Sequence, residues 1–310
     1  MKSNKQSILM VATLLLLAGC GNDNEGAATP EGDGRVALEV SSGIQTRAYD
    51  NTWENDDAIG IYMLKTGTAT VSEGAENRRY FTADGGSAFT ATTEQTIYFP
   101  LDGSKVDFIA YYPYQKTLTN GAFTLDISTQ TDLSAIDLMT AGTKTTEAEP
   151  LDKNHYKVHF KFAHRLTKLE LNIGTGRGIT TENLKGLKVE VTNQRTSGSY
   201  DPLFEVFGVD SEPVQTVELN TNADGTLAQA ILLPTTATDG INPIVTGREF
   251  LFTLKSTGEV FRWSVPDDKS FERGDKNIYN ITINRSGPEV TAEIIDWNKG
   301  NGEGSDESAE

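Results

Sequence analysis

The chain has 310 residues, 37% of them hydrophobic and 23% charged, which is material for more than one apolar core. Twenty-seven Lys and Arg against 44 Asp and Glu give a net charge of −17, so nucleic acid and anionic membrane surfaces would repel it. A single cysteine excludes an intrachain disulfide and a zinc site of several thiolates, and three histidines leave little for imidazole or metal chemistry.

The chain opens with a leader. Lys2 and Lys5 form a basic start, and Ile8 to Leu17 is an apolar run far shorter than the ~20 residues a spanning helix needs. It ends in Leu17-Ala18-Gly19-Cys20, which resembles the bacterial lipobox. That resemblance implies cleavage between Gly19 and Cys20, a diacylglycerol thioether on Cys20, and acylation of the new amino group. The small residues Ala18 and Gly19 admit the peptidase, and only a thiol can form the thioether. Outer-membrane lipid is therefore the expected partner of Cys20, with residues 1–19 as signal peptide. Gly21 to Gly34 contains no large apolar residue, and 20–35 reads as a flexible tether lifting the folded part off the lipid. The acids soon after Cys20 loosely resemble surface-export signals.

Beyond the tether, short alternating or β-branched runs recur between Gly, Asp, Asn and Pro. They include Val36–Val40, Ala58–Leu64, Thr96–Phe99, Val106–Tyr112, Ala122–Ile127, Tyr156–Phe162, Leu169–Ile173, Leu187–Val191, Glu249–Lys255, Val260–Val265 and Ile278–Ile283. This spacing predicts an all-β fold of tandem β-sandwiches, with only short helical turns near Asp132–Met139 and Thr180–Lys185. In Tyr156–Phe162 the apolar residues are even-numbered, and in Leu169–Ile173 they are odd-numbered. A strand alternates faces with period two, so the switch within Ala163–Lys168 requires a bulge, a break or a change of sheet. It sets the expected division into an N-terminal domain, 48–164, and a C-terminal domain, 165–297. The tail 298–310 is acidic with nothing to bury and reads as disordered.

Tests for chemical sites give little. His155 and His159 would lie about 13 Å apart on a strand and cannot share an ion, so the three histidines read as structural. Gly174–Gly178 follows a strand but lacks the helix that a dinucleotide site needs, and reads as a loop. Asn220–Gly225 starts like a calcium loop, but Ile231 stands where a bidentate Glu belongs, so Asp224-Gly225 reads as a hairpin turn. Asp56-Asp57 and Asp267-Asp268 read as solvated turns. Trp53, Trp263, Trp297 and Tyr111-Tyr112-Pro113-Tyr114 could be carbohydrate platforms, but sandwich cores use large aromatics too, and core is the favoured reading. No catalytic constellation, metal site or cofactor is expected.

Several segments in order resemble the fimbrillin family, in particular its Mfa-like type V pilin branch. They are Thr46-Arg47-Ala48 with Trp53–Tyr62, Ile97–Pro100 with Val106–Tyr114, Asp137–Ala141, Phe160–Leu169, Phe261–Trp263 and Ile294–Trp297. The resemblance spans roughly residues 36–297. It implies two transthyretin-like β-sandwich domains exported as an outer-membrane lipoprotein and assembled with other pilin subunits into a surface fimbria. In that scheme an arginine-specific protease cuts near the first domain, the lipidated N-terminal strand leaves, and a neighbour's strand fills the vacated groove.

The residues offer material for each step. Val36, Leu38 and Val40 alternate, so 36–47 is a candidate removable strand with one buried face, and Arg47–Ala48 is the candidate cleaved bond. Cleavage at Arg35 would leave the strand in place. If this chain donates a strand, it is Glu289–Trp297, with Val290, Ala292 and Ile294 on one face and Ile295 and Trp297 on the other. If that strand instead completes its own domain, a tip, accessory or non-polymerising role follows. The expected function is a non-enzymatic fimbrial subunit supporting adhesion, with a host or bacterial receptor or glycan beyond it. The alternative is a monomeric lipoprotein that binds glycans through exposed aromatics. A surface hydrolase would need two convergent carboxylates in a cleft.

Overall fold

The computed structural model describes residues 34–44, 52–210, 214–235 and 243–296, with the side chains of 292–296 left aside. The described residues are all-β apart from one helical turn. The strands are β1 (Glu39–Ile44), β2 (Ala58–Lys65), β3 (Arg78–Phe81), β4 (Ala88–Phe89), β5 (Val106–Tyr112), β6 (Phe123–Asp126), β7 (Met139–Thr143), β8 (Lys157–His164) and β9 (Thr167–Thr175). After the turn α1 (Thr181–Leu184) come β10 (Lys188–Arg195), β11 (Ser197–Asp201), β12 (Val206–Val209), β13 (Val214–Glu218), β14 (Asn220–Thr221), β15 (Leu227–Leu232), β16 (Glu249–Thr253), β17 (Val260–Ser264), β18 (Asp275–Ile283) and β19 (Glu289–Asp296).

Four sheets result. Seven strands run in the order β3-β2-β5-β7-β8-β1-β4, and five in the order β14-β15-β9-β18-β19. A four-stranded sheet is ordered β13-β10-β16-β17, and a three-stranded one β12-β11-β6. From Arg35 onward the chain forms one compact unit. Within it, one hydrophobic cluster joins Leu38, Val40, Trp53, Phe89, Phe108 and Phe160, and a second joins residues such as Leu171, Val189, Phe250 and Tyr279.

Strand β2 explains how the clusters meet. Ile59, Ile61 and Met63 enter the first cluster while Tyr62 and Leu64 enter the second, because successive side chains leave opposite faces. The β8 end of the same sheet is different. Val158, Phe160 and Phe162 point into the first cluster, whereas Lys157, His159 and Lys161 face solvent. The parity switch has its cause here, since β8 belongs to the seven-stranded sheet and β9 to the five-stranded one.

Several local expectations need correction. Thr96–Phe99 is not a strand but carries an isolated bridge at Tyr98, because it closes over β1 for too short a stretch. Asp132–Met139 forms turns leading into β7 rather than a helical turn, with Ser134 and Ala135 bonded to the Asp132 carboxylate. Strand Ala122–Ile127 shortens to β6, and α1 occupies four residues of the expected Thr180–Lys185 turn. Asp224-Gly225 does lie in the turn between β14 and β15. Gly225 has φ +68°, and a Cβ there would come within 1.9 Å of the Leu184 carbonyl oxygen, so only glycine fits.

Candidate functional site

Strand β1 is held on three sides by different parts of the chain. Along one edge it runs parallel to β8, with Glu39 opposite Lys157, Ser41 opposite His159 and Ile44 opposite Phe162. Along the other it meets the two residues of β4, Val40 opposite Phe89 and Ser41 opposite Ala88, and the Ser42 N–H donates to the Ser87 carbonyl at 2.8 Å. Upstream, the Leu38 N–H donates to the Ile97 carbonyl at 2.9 Å, and the Phe99 N–H to the Val36 carbonyl at 3.0 Å. The Tyr80 hydroxyl in turn accepts from the Ile97 N–H at 2.9 Å and fixes that wall.

The inward face follows the alternation read from the sequence. Leu38 and Val40 are 6% and 4% exposed, while Val36 and Ile44 are half-buried. Ser42, on the same face, is buried, and its hydroxyl has no hydrogen-bond partner. Trp53 clamps the floor of this groove. Its ring packs edge-on against Phe89 (5.1 Å), Tyr112 (5.2 Å) and Phe162 (5.4 Å), of which Phe89 and Phe162 belong to strands flanking β1.

The outward face is electrostatic. Glu39 pairs with Lys157 at 3.1 Å and holds that ammonium above its usual pKa, while the Ser41 hydroxyl lies 3.0 Å from His159 Nδ1. Beyond Ile44 opens a cavity of about 260 Å³ lined by Trp53, Asp57, Tyr112, Asp137 and Lys168. Asp57 accepts from the Tyr112 hydroxyl at 2.9 Å and from the Glu54 N–H at 2.7 Å, and burial raises the Tyr112 pKa, with Asp57 adding to it. Burial, followed by the charge of Lys276, pushes Lys168 down to about 8.

The expected site residues fall as follows. Val36, Leu38 and Val40 line the groove. Val290 is the second residue of β19, which forms the edge of the five-stranded sheet and pairs antiparallel with β18, Ile281 opposite Val290 and Asn277 opposite Ile294. Val290 is half-buried against the second cluster. Ala292 and Ile294 share that ladder by backbone pairing, Ala292 opposite Tyr279. Gly19, Cys20, Arg47, Ala48 and Trp297 lie outside the described residues.

The histidines separate. His155 pairs with Asp152 at 2.9 Å, His159 faces β1, and His164 is buried against Asp137 at 3.0 Å. Among the described residues no group of three His, Cys, Asp or Glu could hold a metal ion. Trp53, Tyr111 and Tyr112 are core, and Trp263 is half-buried and stacked on Phe250 at 5.3 Å. The exposed aromatic among the described residues is Phe204, at 65%, on the β11–β12 turn. No second exposed ring accompanies it among the described residues to make a sugar platform. Sequence reasoning missed β4, since a two-residue contact leaves no periodic signal, and it marked Thr96–Phe99 as a strand without its place beside Val36 and Leu38.

Residues 46–297 match the model of the fimbrillin-like family. A candidate fimbrium subunit, Fim1C, from Bacteroides uniformis is 43% identical over 99% of this chain and all of that protein. Fimbrium subunit Fim1C of Phocaeicola vulgatus is 26% identical over 58% of this chain and 56% of its own length. The crystal structure of a candidate cell-adhesion protein from Bacteroides uniformis superposes with a TM-score of 0.73 at 40% identity, covering 86% of this chain and all of that one. These relatives are described by structural and adhesive roles rather than by a catalysed reaction. The chain belongs to the fimbrillin-like family.

Proposed function

We propose that this chain is a structural subunit of a surface fimbria, assembled with other pilin subunits by exchange of its N-terminal strand and supporting adhesion. One observation carries the reading: β1 fills an apolar groove, running along β8 on one edge and held on the other by short separate contacts with β4, Ser87 and the Ile97–Phe99 wall. Burial of Leu38 and Val40 contributes roughly 1.5–3 kcal/mol each, and the ladder to β8 adds net hydrogen bonding of about 1 kcal/mol per bond. Once the chain is cut at Arg47–Ala48, these contacts no longer benefit from covalent linkage, and a neighbour's strand can replace them. Before processing, Cys20 holds the precursor in the outer membrane through its acyl chains, following cleavage after Gly19. In this reading the domains are 48–164 and 165–297, closely joined: Tyr62, Leu64, Tyr111, Phe123, Leu125, Ile127 and Leu138 of the first lie in the second cluster, and β6 pairs with β11.

The N-terminus and intact mass of the protein recovered from its own cells test this. A chain beginning at Ala48 without lipid supports strand removal. A chain still beginning at acylated Cys20 in assembled fimbriae would overturn it.

A further inference from the structure

The cavity beyond Ile44, about 260 Å³, draws its wall from distant parts of the sequence. Trp53 and Asp57 come from the segment before β2, Tyr112 from the end of β5, Asp137 from just before β7, Lys168 from β9 and Gln229 from β15. Charge on this wall is segregated. The Tyr112 hydroxyl donates to Asp57 at 2.9 Å, and burial raises its pKa, with the charges of Asp57 and Asp137 adding to the rise. Both aspartates therefore stand at the Tyr112 end.

Lys168 has other neighbours. Burial and then the charge of Lys276 lower its pKa, and Glu170 is the carboxylate that opposes them. Glu170 is already engaged, by Lys276 Nζ at 2.8 Å and by the Gln229 amide, which donates to the same oxygen at 3.0 Å. Two ammoniums to one carboxylate leave this end positive, while Asp57 and Asp137 make the other end negative. Between the ends the wall is apolar, with Ile44, Leu133, Met139 and Ile231 beside the Trp53 ring. Trp53 is 7% exposed, and its Nε1–H has no hydrogen-bond partner, an unused donor of a kind that native interiors rarely leave.

We propose that this cavity binds a single α-amino acid with an apolar side chain, its ammonium at Asp57 and Asp137 and its carboxylate at Lys168. Each part of that ligand answers a feature of the wall. Carboxylate oxygens accept more than one bond, so Asp57 can take the ammonium while holding the Tyr112 hydroxyl, and Asp137 can do so while facing His164 Nδ1 at 3.0 Å. Lys168 supplies the charge-assisted donor for the ligand carboxylate. A simple cation would be repelled at the Lys168 end and a simple anion at the aspartate end. A neutral apolar molecule would strip water from both ends and return nothing. The volume is small beside the ~300–1,000 Å³ of pockets for larger ligands, which suits one amino acid rather than a peptide or an oligosaccharide. The site depends on the cavity and not on strand exchange, so its failure leaves the fimbrial reading untouched.

Isothermal titration calorimetry of the uncut chain, residues 20–310, tests this, because the uncut chain keeps Ile44 in the wall. Three probes of one shape are compared at about pH 6.5, where an α-amino group is charged. They are L-leucine, leucinamide, which lacks the carboxylate charge, and 4-methylpentanoate, which lacks the ammonium. L-leucine should bind one to one, and each half-charged probe about tenfold or more weakly. Lys168→Met should abolish the preference for leucine over leucinamide, and Asp57→Asn should reduce the preference for leucine over 4-methylpentanoate. No binding of leucine, or equal binding of leucine and either half-charged probe, overturns the proposal. So does leucine affinity unchanged in a Lys168→Met chain that urea unfolding shows to be folded.

Discussion

Replacing Leu38 and Val40 together by alanine removes most of the apolar payload of the segment 36–44 and nothing else. Both side chains are almost fully buried, at 6% and 4% exposure, so each truncation loses transfer free energy and leaves a cavity. Leu→Ala in a packed core costs about 2–5 kcal/mol. Removing the two Val40 methyls costs roughly 2 kcal/mol, at ~0.8 kcal/mol per group plus incomplete relaxation. The short β4 lets the groove collapse more easily than a central core would, which places the pair at the lower end, roughly 4–5 kcal/mol. Equilibrium urea unfolding of the uncut chain reads this as a lower midpoint at unchanged slope. Glu39→Gln is the control on the exposed face and should stay within about 0.5 kcal/mol, because an exposed ion pair contributes little. The double variant should also release fragment 20–47 faster after cleavage at Arg47. A combined loss under about 1 kcal/mol at unchanged slope would refute the packed inward face and, with it, the cause assigned to strand retention.

Three further outcomes follow from the same geometry. Trp53→Ala should cost about 3–5 kcal/mol, measured by urea unfolding, because the indole bridges Phe89, Tyr112 and Phe162. Lys168 titrates near 8 in the folded chain and near 10.4 unfolded, so between those values the unfolded chain binds more protons. Stability should therefore rise from about pH 8 towards pH 10, and Lys168→Met should flatten that rise in unfolding curves taken across the window. Phe204→Ser, at an exposed turn, should change stability by less than about 0.5 kcal/mol, and oligosaccharide binding lost through that change would instead favour the glycan-binding alternative.

Much of the architecture is legible because half-buried strands write their faces into the sequence. Val158, Phe160 and Phe162 alternate with Lys157, His159 and Lys161, so the letters alone reveal both the strand and its solvent face. Strand β2 is legible as a strand but not as a link between two clusters. Its inward residues on both faces are apolar, and period-two alternation then carries no polarity contrast. The polar strands β11 to β14 escape sequence reading for the complementary reason: their side chains are mostly half-exposed or exposed, and pairing rather than burial defines them.

The groove shows most clearly what sequence reading lacks. Alternation marks Val36, Leu38 and Val40 as one face, and that face is the one directed inward. It cannot tell that β1 runs parallel to β8 or that its outer edge is held by the short stretch Ser87–Phe89, because pairing partners 118 residues apart in sequence leave no local trace. Ser42 carries the same lesson at one residue. The alternation sets it on the inward face with Leu38 and Val40, yet a serine in the letters argues for a solvated position. The structure buries it, and its hydroxyl has no hydrogen-bond partner. A polar letter therefore marks a solvent face only where the pairing on both edges leaves that face open, and pairing is what the sequence does not show.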